Sequence, residues 1–340
     1  MNTPWYQSEL IDQNQILSSR VRLARNIKKY PFQKKLSAKD ASAMVLEAKL
    51  SVIRVGNNMP FHQLDILELS ETEQKVFLEK HLVSPEFLRG TLPKGLLVSD
   101  DQNMSVMLNE EDHIRIQSVC PGDGLERAFE TANQIDDLIE ESIEFAFHSE
   151  YGYLTACPTN VGTGLRASYM IHLPCLDISG QLKDIVPHIT KFGITLRGIY
   201  GEGTAPMGSI YQISNQRTLG KSEEDIINDL QNVTKNVIDH ENQARDKFIK
   251  TRRNYLEDKI YRAYGILKYS RKITAQEAMD LISDVRLGFL SEILDAPKPS
   301  KQLYQIMMEI QPGHLQRIAG QEMSDTERDT ARAKYLRETF

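Results

Sequence analysis

The sequence predicts an α+β fold: antiparallel strands with helices over residues 1–245, then an all-helical segment over residues 246–340. Three observations carry this. Gly95–Asp100, Met104–Asn109 and Ile114–Val119 read as short strands with tight connections, the pattern of an antiparallel meander. Glu126 to His148 sets Ala132, Ile135, Leu138, Ile139, Ile143 and Phe147 on one broad stripe, as an amphipathic helix does. From Ser222 onward the helical pattern continues with little break.

Composition bounds the function. A chain of 340 residues has room for a sizeable core and about two domains. Its 40% hydrophobic and 26% charged content is that of an ordinary globular protein. No apolar run reaches the roughly 18 residues a membrane span needs, and the polar N-terminus is no signal peptide. The three cysteines, Cys120, Cys157 and Cys175, lack metal-type spacing and suit reduced thiols in a cytoplasm. A net charge of −6 argues against direct nucleic-acid binding and mildly favours basic protein partners.

In chain order, Ser18-Ser19-Arg20-Val21-Arg22 alternates as a strand, with Arg20 and Arg22 on one face and Val21 and Leu23 on the other. Paired guanidiniums suit a polyphosphate, though by spacing alone a solvated strand face is the commoner reason for such a pair. Arg25 falls on the opposite face and reads as structural. Ser37 caps a helix reaching about Gly56, and a second short helix covers Thr72 to Leu82, with His81 at its end. The block Asn109-Glu110-Glu111-Asp112-His113 interrupts the meander with three adjacent carboxylates. These repel unless a cation sits among them, or else form a solvated turn. After the long helix, a strand from Tyr151 to Ala156 leads into Cys157-Pro158-Thr159-Asn160-Val161-Gly162-Thr163-Gly164, and a helix is expected to begin near Leu165. Gly162 and Gly164 allow positive φ or close approach to a ligand, free N–H groups of that helix favour an anion, and Arg166 adds charge. Cys157 would have its pKa lowered by a nearby cation. A helix over Gln181–Lys191, strands Ile194–Tyr200 and Ser209–Ser214, and an acid-capped helix from Ser222 follow. The basic run from Ala244 to Arg253 marks the domain boundary. In the tail, Thr274-Ala275-Gln276-Glu277 and Ser324-Asp325-Thr326-Glu327 have the form of capping boxes. Arg328 and Arg332 stand one turn apart with Asp329 beside them, an ion-paired surface or a site for a group both anionic and guanidinium-bearing.

Four of these blocks, in this order, resemble the phosphagen (guanidino) kinases, the family of creatine and arginine kinases: Ser18 to Arg22, Asn109 to Arg115, Cys157 to Ser168, and Arg197-Gly198-Ile199-Tyr200-Gly201-Glu202. Within the family, the helical tail and its Arg-Asp-x-x-Arg-Ala run are similar to those of the bacterial enzymes that act on arginine in proteins. The resemblance implies an antiparallel sheet flanked by helices and a catalytic domain bearing the site on one sheet face. It implies ATP with Mg²⁺ held mainly by nucleotide and water. The implied ATP-binding set is Ser18, Ser19, Arg20, Val21, Arg22, His81, Arg115, Arg166, Ala167, Ser168, Arg197, Gly198, Ile199, Tyr200 and Gly201. Glu111 and Glu202 would grip the guanidinium, Glu111 as base, and Cys157 as thiolate would orient it.

Only 17 residues precede the first arginine block, where small-substrate members carry a helical domain, and Tyr200 stands where arginine kinases have a further arginine. The expectation is therefore ATP-dependent phosphorylation of accessible arginines in proteins. A small-molecule guanidino kinase and a phosphoarginine-binding adapter remain as alternatives. The resemblance further implies a stress-response role, marking of proteins for a Clp unfoldase, a basic heat-shock repressor as substrate, an activator protein, a homodimer, and phosphoarginine recognition by Arg328, Asp329 and Arg332.

Overall fold

The computed structural model describes residues 4–55, 60–198 and 207–340. In chain order the strands and helices are β1 (Ile16–Arg25), α1 (Ala38–Val55), β2 (Phe61–Leu64), α2 (Glu71–Glu79), α3 (Pro85–Arg89), β3 (Gly95–Ser99), β4 (Met104–Leu108), β5 (Ile114–Pro121) and α4 (Leu125–Glu140). Then come β6 (Phe147–His148), β7 (Gly152–Tyr153), β8 (Leu165–His172), α5 (Pro174–Ser179), α6 (Leu182–Lys191), β9 (Ile194–Gly198), β10 (Ile210–Asn215) and α7 (Glu223–Tyr269). Helices α8 (Ala275–Leu290), α9 (Leu303–Glu309), α10 (Pro312–Ala319) and α11 (Asp325–Thr339) complete the chain. Eight strands hydrogen-bond in the order β2-β3-β4-β5-β1-β8-β10-β9, and β6 pairs with β7 alone. The expected meander is present: β3 runs antiparallel to β4 with Gly95 opposite Leu108, and β4 antiparallel to β5 with Met104 opposite Ser118.

Contacts divide the chain into two compact units, Met1–Trp5, Ser19–Ser168 and Ser214–Leu230 in the first, and Tyr6–Ser18, Tyr169–Ile213 and Gln231–Phe340 in the second. In the first, α1 turns Ala41, Met44, Ala48 and Val52 inward, and α4 does the same with Ala128, Ala132, Ile135 and Ile139. These helices pack on each other and on the meander. Alternation along β3 sends Leu96 and Val98 to its other face, where they join Ile66, Leu82, Val83, Phe87 and Met107. A sheet covered on both faces explains why every residue of β3 and β4 is buried.

The second unit is mainly helical. Arg286 of α8, 1% exposed, donates to the carbonyls of Ile11 (2.7 Å) and Asn14 (2.5 Å) and to Nδ1 of His172 (2.9 Å). His172 Nε2 lies 2.7 Å from Ser283 Oγ. Burial first, then the adjacent guanidinium, holds this imidazole neutral. Helix α7 is broken at Arg252, which has φ −141° and ψ 35°, within the basic run from Ala244 to Arg253. Both tail caps form: Thr274 Oγ1 accepts from Glu277 N, and Ser324 with Glu327 closes a reciprocal box. No described helix is long and apolar enough to cross a membrane.

Two expectations fail in the stretch from α4 to the Cys157 loop. The helix foreseen to His148 stops at Glu140, because Asp137, Glu140, Glu141 and Glu144 crowd its negative end. Ala146 N instead donates to Asn26 O (2.7 Å) and Leu154 N to Ala146 O (2.8 Å). The strand foreseen from Tyr151 to Ala156 shrinks to Gly152–Tyr153.

Candidate active site

On β1, Val21 and Leu23 are fully buried while Arg20 and Arg22 lie on the opposite face, as the alternation requires. Arg115 comes from β5 and Arg166 from β8, where its Nη1 reaches Gln216 O (3.4 Å). Burial first, then the charges of Arg20, Arg115 and Arg166, push Arg22 well below the usual arginine range, with Glu110 opposing. Arg22 Nε is buried and bonded to nothing among the described residues. His81, at φ 57°, is brought down to about 3 by burial and then by Arg20, so it presents a neutral ring beside the cations. Ser19 is inside: its Oγ donates to Gly122 O (2.7 Å) and accepts from Gly124 N (2.9 Å), fastening β1 to the turn before α4. Ser18, Ala167 and Ser168 are buried, and Ala167 N donates to Asn215 Oδ1 (2.8 Å).

The three adjacent carboxylates diverge. Glu110 is buried, pairs with Arg115, accepts from Ser84 Oγ (2.6 Å) and takes Glu111 N (2.8 Å). Burial works against its charge, yet Arg115 and these donors hold it below the usual carboxylate range. Asp112 is also buried, and its Oδ1 accepts from Asn26 Nδ2 and from Ala156 N, both at 2.6 Å. It thereby joins the hairpin to the end of β1 and to the residue before Cys157. Glu111 alone faces solvent and has no side-chain hydrogen bond among the described residues. Its pKa is raised by partial burial, then by Asp112 and Glu110. Sequence reasoning missed the separate duties of Glu110 and Asp112, because only hairpin geometry turns neighbouring carboxylates in different directions.

In the loop that follows, Cys157 is partly exposed with Sγ 3.1 Å from Thr159 Oγ1. The helix expected at Leu165 is instead strand β8, so the anion-binding helix start foreseen there is absent. The run Leu165-Arg166-Ala167-Ser168-Tyr169-Met170-Ile171-His172 lies beside β1 and β10, whose hydrogen bonds decide its form. The two glycines serve the chain's own packing. A Cβ on Gly162 (φ 113°) would fall 2.4 Å from Thr218 O, and one on Gly164 (φ 66°) 2.6 Å from both Ala24 O and Arg25 Nη1.

Arg197 and Gly198 close β9 in the second unit. Ile199, Tyr200, Gly201 and Glu202 lie outside the described residues. On α11, Arg332 is 2% exposed and donates to Ile310 O (3.0 Å), Ile273 O (3.0 Å) and Asp329 Oδ1 (2.8 Å). Arg328 donates to Met323 O (2.7 Å) and pairs with Asp325.

A family profile described as ATP:guanido phosphotransferase, C-terminal catalytic domain, matches residues 45–244, and one for the protein-arginine kinase McsB C-terminal domain matches 253–340. Among solved structures, a duplicated taurocyamine kinase from Schistosoma mansoni superposes with a TM-score of 0.62 at 25% identity, over 75% of this chain and 38% of that one. Lombricine kinase superposes with a TM-score of 0.60 at 24% identity, over 71% of each chain. Sheet, helices and the matched catalytic domain define the class as ATP:guanidino phosphotransferase. The protein-arginine kinase of Bacillus cereus (strain G9842) is 46% identical over 99% of this chain and 95% of its own. That of Caldanaerobacter subterraneus subsp. tengcongensis is 42% identical over 96% of each. The chain belongs to the protein-arginine kinase family. Of the three activities the sequence left open, the ATP-dependent kinase acting on arginine in proteins is the one that holds.

Proposed function

We propose that this kinase performs its phosphoryl transfer on the side chains gathered in the first unit. ATP, bringing Mg²⁺ on its phosphates and water, is held by Arg20, Arg22, Arg115 and Arg166 beside His81, and the target arginine is met by Glu111 and Cys157. The observation that carries this reading is the crowding of like charges on Arg22, together with its orphaned Nε. A polyphosphate supplies both the missing negative charge and the missing acceptors.

Phosphoryl transfer asks for positioning and charge neutralisation more than for covalent chemistry. A guanidinium nitrogen attacks the γ-phosphorus, the N–P bond forms, and the bond to the β–γ bridging oxygen breaks, its electron pair leaving with ADP. Free arginine is always protonated, so the attacking nitrogen must give up a proton during transfer. Glu111 takes it. Its neighbours Asp112 and Glu110, and partial burial, make it a stronger base than an isolated glutamate. Cys157, on the loop tied to the same hairpin through Ala156 and Asp112, orients the guanidinium without a covalent step.

Family membership supports extending the reading to cytoplasmic action on accessible arginines, a basic heat-shock repressor among the substrates. It also supports a role in stress response and Clp-dependent degradation, as a homodimer under an activator protein. Residues 246–340 would then serve assembly and recognition of phosphoarginine. The central test is Glu111→Gln, with phosphoarginine on a general protein substrate measured by mass spectrometry without acid. ATP binding should persist while turnover falls ~10²-fold or more, as for loss of a catalytic base. Near-normal turnover would remove Glu111 from the mechanism.

A further inference from the structure

The loop bearing Cys157 has a second end. Gly162 and Thr163 line an open groove of about 410 Å³ whose other walls are the β6–β7 hairpin and the segment from Thr218 to Asp225. Two rings of the hairpin are turned to solvent: Phe147 is 57% and Tyr151 46% exposed. They are held in place, since Tyr151 stacks on His148 at 4.8 Å and Phe147 meets Tyr153 edge-on at 5.3 Å. The polar lining is acidic. Glu150, Glu223 and Asp225 face one lysine, Lys221, and that ammonium is already paired with Asp229. Asp225 is engaged in capping α7, accepting from Ser222 Oγ at 2.7 Å. The carboxylates of Glu150 and Glu223 accept no side-chain hydrogen bond among the described residues, although Glu223 is half-buried. Burial, with Asp136 and Asp137 adding to it against Arg25, raises the pKa of Glu223.

Aromatic faces beside unpaired carboxylates are the surroundings that a lysine or arginine side chain prefers. A free guanidino compound bound at Glu111 has nothing that could reach here. A polypeptide does, because each extended residue spans roughly 3.3–3.6 Å and the same short loop borders both places. We propose that this groove seats a basic residue of the protein substrate, a few positions from the arginine to be phosphorylated, with its cation between Tyr151 and Phe147 and the carboxylates of Glu150 and Glu223. This rests on Glu111 and Cys157 meeting the target arginine. Such a groove would favour basic proteins through charge and ring contacts that discriminate by sequence around the target.

The test uses the full-length enzyme and two peptides of equal length with a single arginine, one flanked by lysines and one by serine and glycine. Wild type should show the lower KM for the lysine-flanked peptide. Glu150→Gln combined with Glu223→Gln, and separately the exposed Tyr151→Ala, should raise that KM roughly 5- to 30-fold. Both kcat and the KM of the serine–glycine peptide should stay unchanged. A lysine peptide lacking arginine separates this from the assignment of Glu111. Its binding, followed by fluorescence anisotropy, should survive Glu111→Gln and weaken in the groove variants. Equal binding by wild type and groove variants, or a KM rise shared by both peptides, overturns the proposal. So does a change in sedimentation without a change in peptide binding, which would give the groove to a second copy of the chain.

Discussion

Arg22 and Arg25 lie three residues apart on one strand, and their surroundings are opposite. Arg25, 1% exposed, is met from within on every side. Its Nε and Nη2 donate to Asp136 Oδ2 at 3.0 and 2.6 Å, and Nη1 reaches Ala24 O and Thr163 O at 3.0 and 2.9 Å. Its carbon centre sits 3.5 Å over the ring of Tyr153. Arg22 has three arginines acting on it and a buried donor with no acceptor. A buried guanidinium whose donors are satisfied by the chain is part of the architecture. One surrounded by like charge, with a buried donor left over, is suited to an anion.

The largest effect should come from setting these two against each other. Arg25→Met strands Asp136 in the interior and removes the clamp on Thr163, so it should destabilise the protein by about 3–5 kcal/mol, the range for breaking a buried pair. Arg22→Met relieves repulsion and should leave thermal stability unchanged or higher, while turnover falls about 10²- to 10³-fold through loss of charge stabilisation. Thermal melts with and without ATP read both. Nucleotide should raise the melting temperature of wild type far more than that of Arg22→Met. Equal destabilisation by the two substitutions would erase the distinction.

A smaller effect separates Glu110 from Glu111. As the proposed base, Glu111 would act only when ionised, and its pKa is raised, so kcat/KM should fall on acidification at a pH above the ordinary glutamate value of about 4.3. Glu110 has a depressed pKa in the folded state. Its contribution to stability is full above the unfolded-state value and is lost only as pH falls through the lower folded value. Activity should therefore disappear before tertiary structure does. A pH profile of kcat/KM beside near-ultraviolet circular dichroism would show two separated transitions, and coincident ones would mean that the acid limb reports unfolding.

Much of this was legible in the sequence where a local period decides the outcome. Two-residue alternation placed Arg20 and Arg22 opposite Val21 and Leu23, turn spacing gave the meander, and the Ser324/Glu327 box marked a helix start. The sequence misled where distant partners decide. Leu165 to His172 fits either period, and only β1 and β10 make it a strand. Gly162 and Gly164 suggested a ligand, yet the atoms they make room for belong to Thr218, Ala24 and Arg25. Three acidic letters in a row could not reveal that Glu110 and Asp112 are engaged by Arg115, Asn26 and Ala156, while Glu111 has no such partner among the described residues.

The same contrast recurs on α11 with the smallest expected consequence for basal activity. Arg332 repeats Arg25: it is buried, and it fastens the helix to the carbonyls of Ile273 and Ile310. Substituting it would test folding rather than recognition. Arg328, more open, holds one carbonyl and an exposed aspartate through an i,i+3 pair, an interaction of about 0.2–1 kcal/mol at most. If the tail recognises phosphoarginine, Arg328 is the cation free to exchange Asp325 for a phosphate. Arg328→Ala should leave basal turnover and the melting temperature nearly unchanged. It should also abolish binding of free phosphoarginine in calorimetry on the full chain, along with any stimulation by phosphorylated protein, a coupling of roughly 1–3 kcal/mol. Unaltered phosphoarginine binding in Arg328→Ala would make α11 a structural helix throughout.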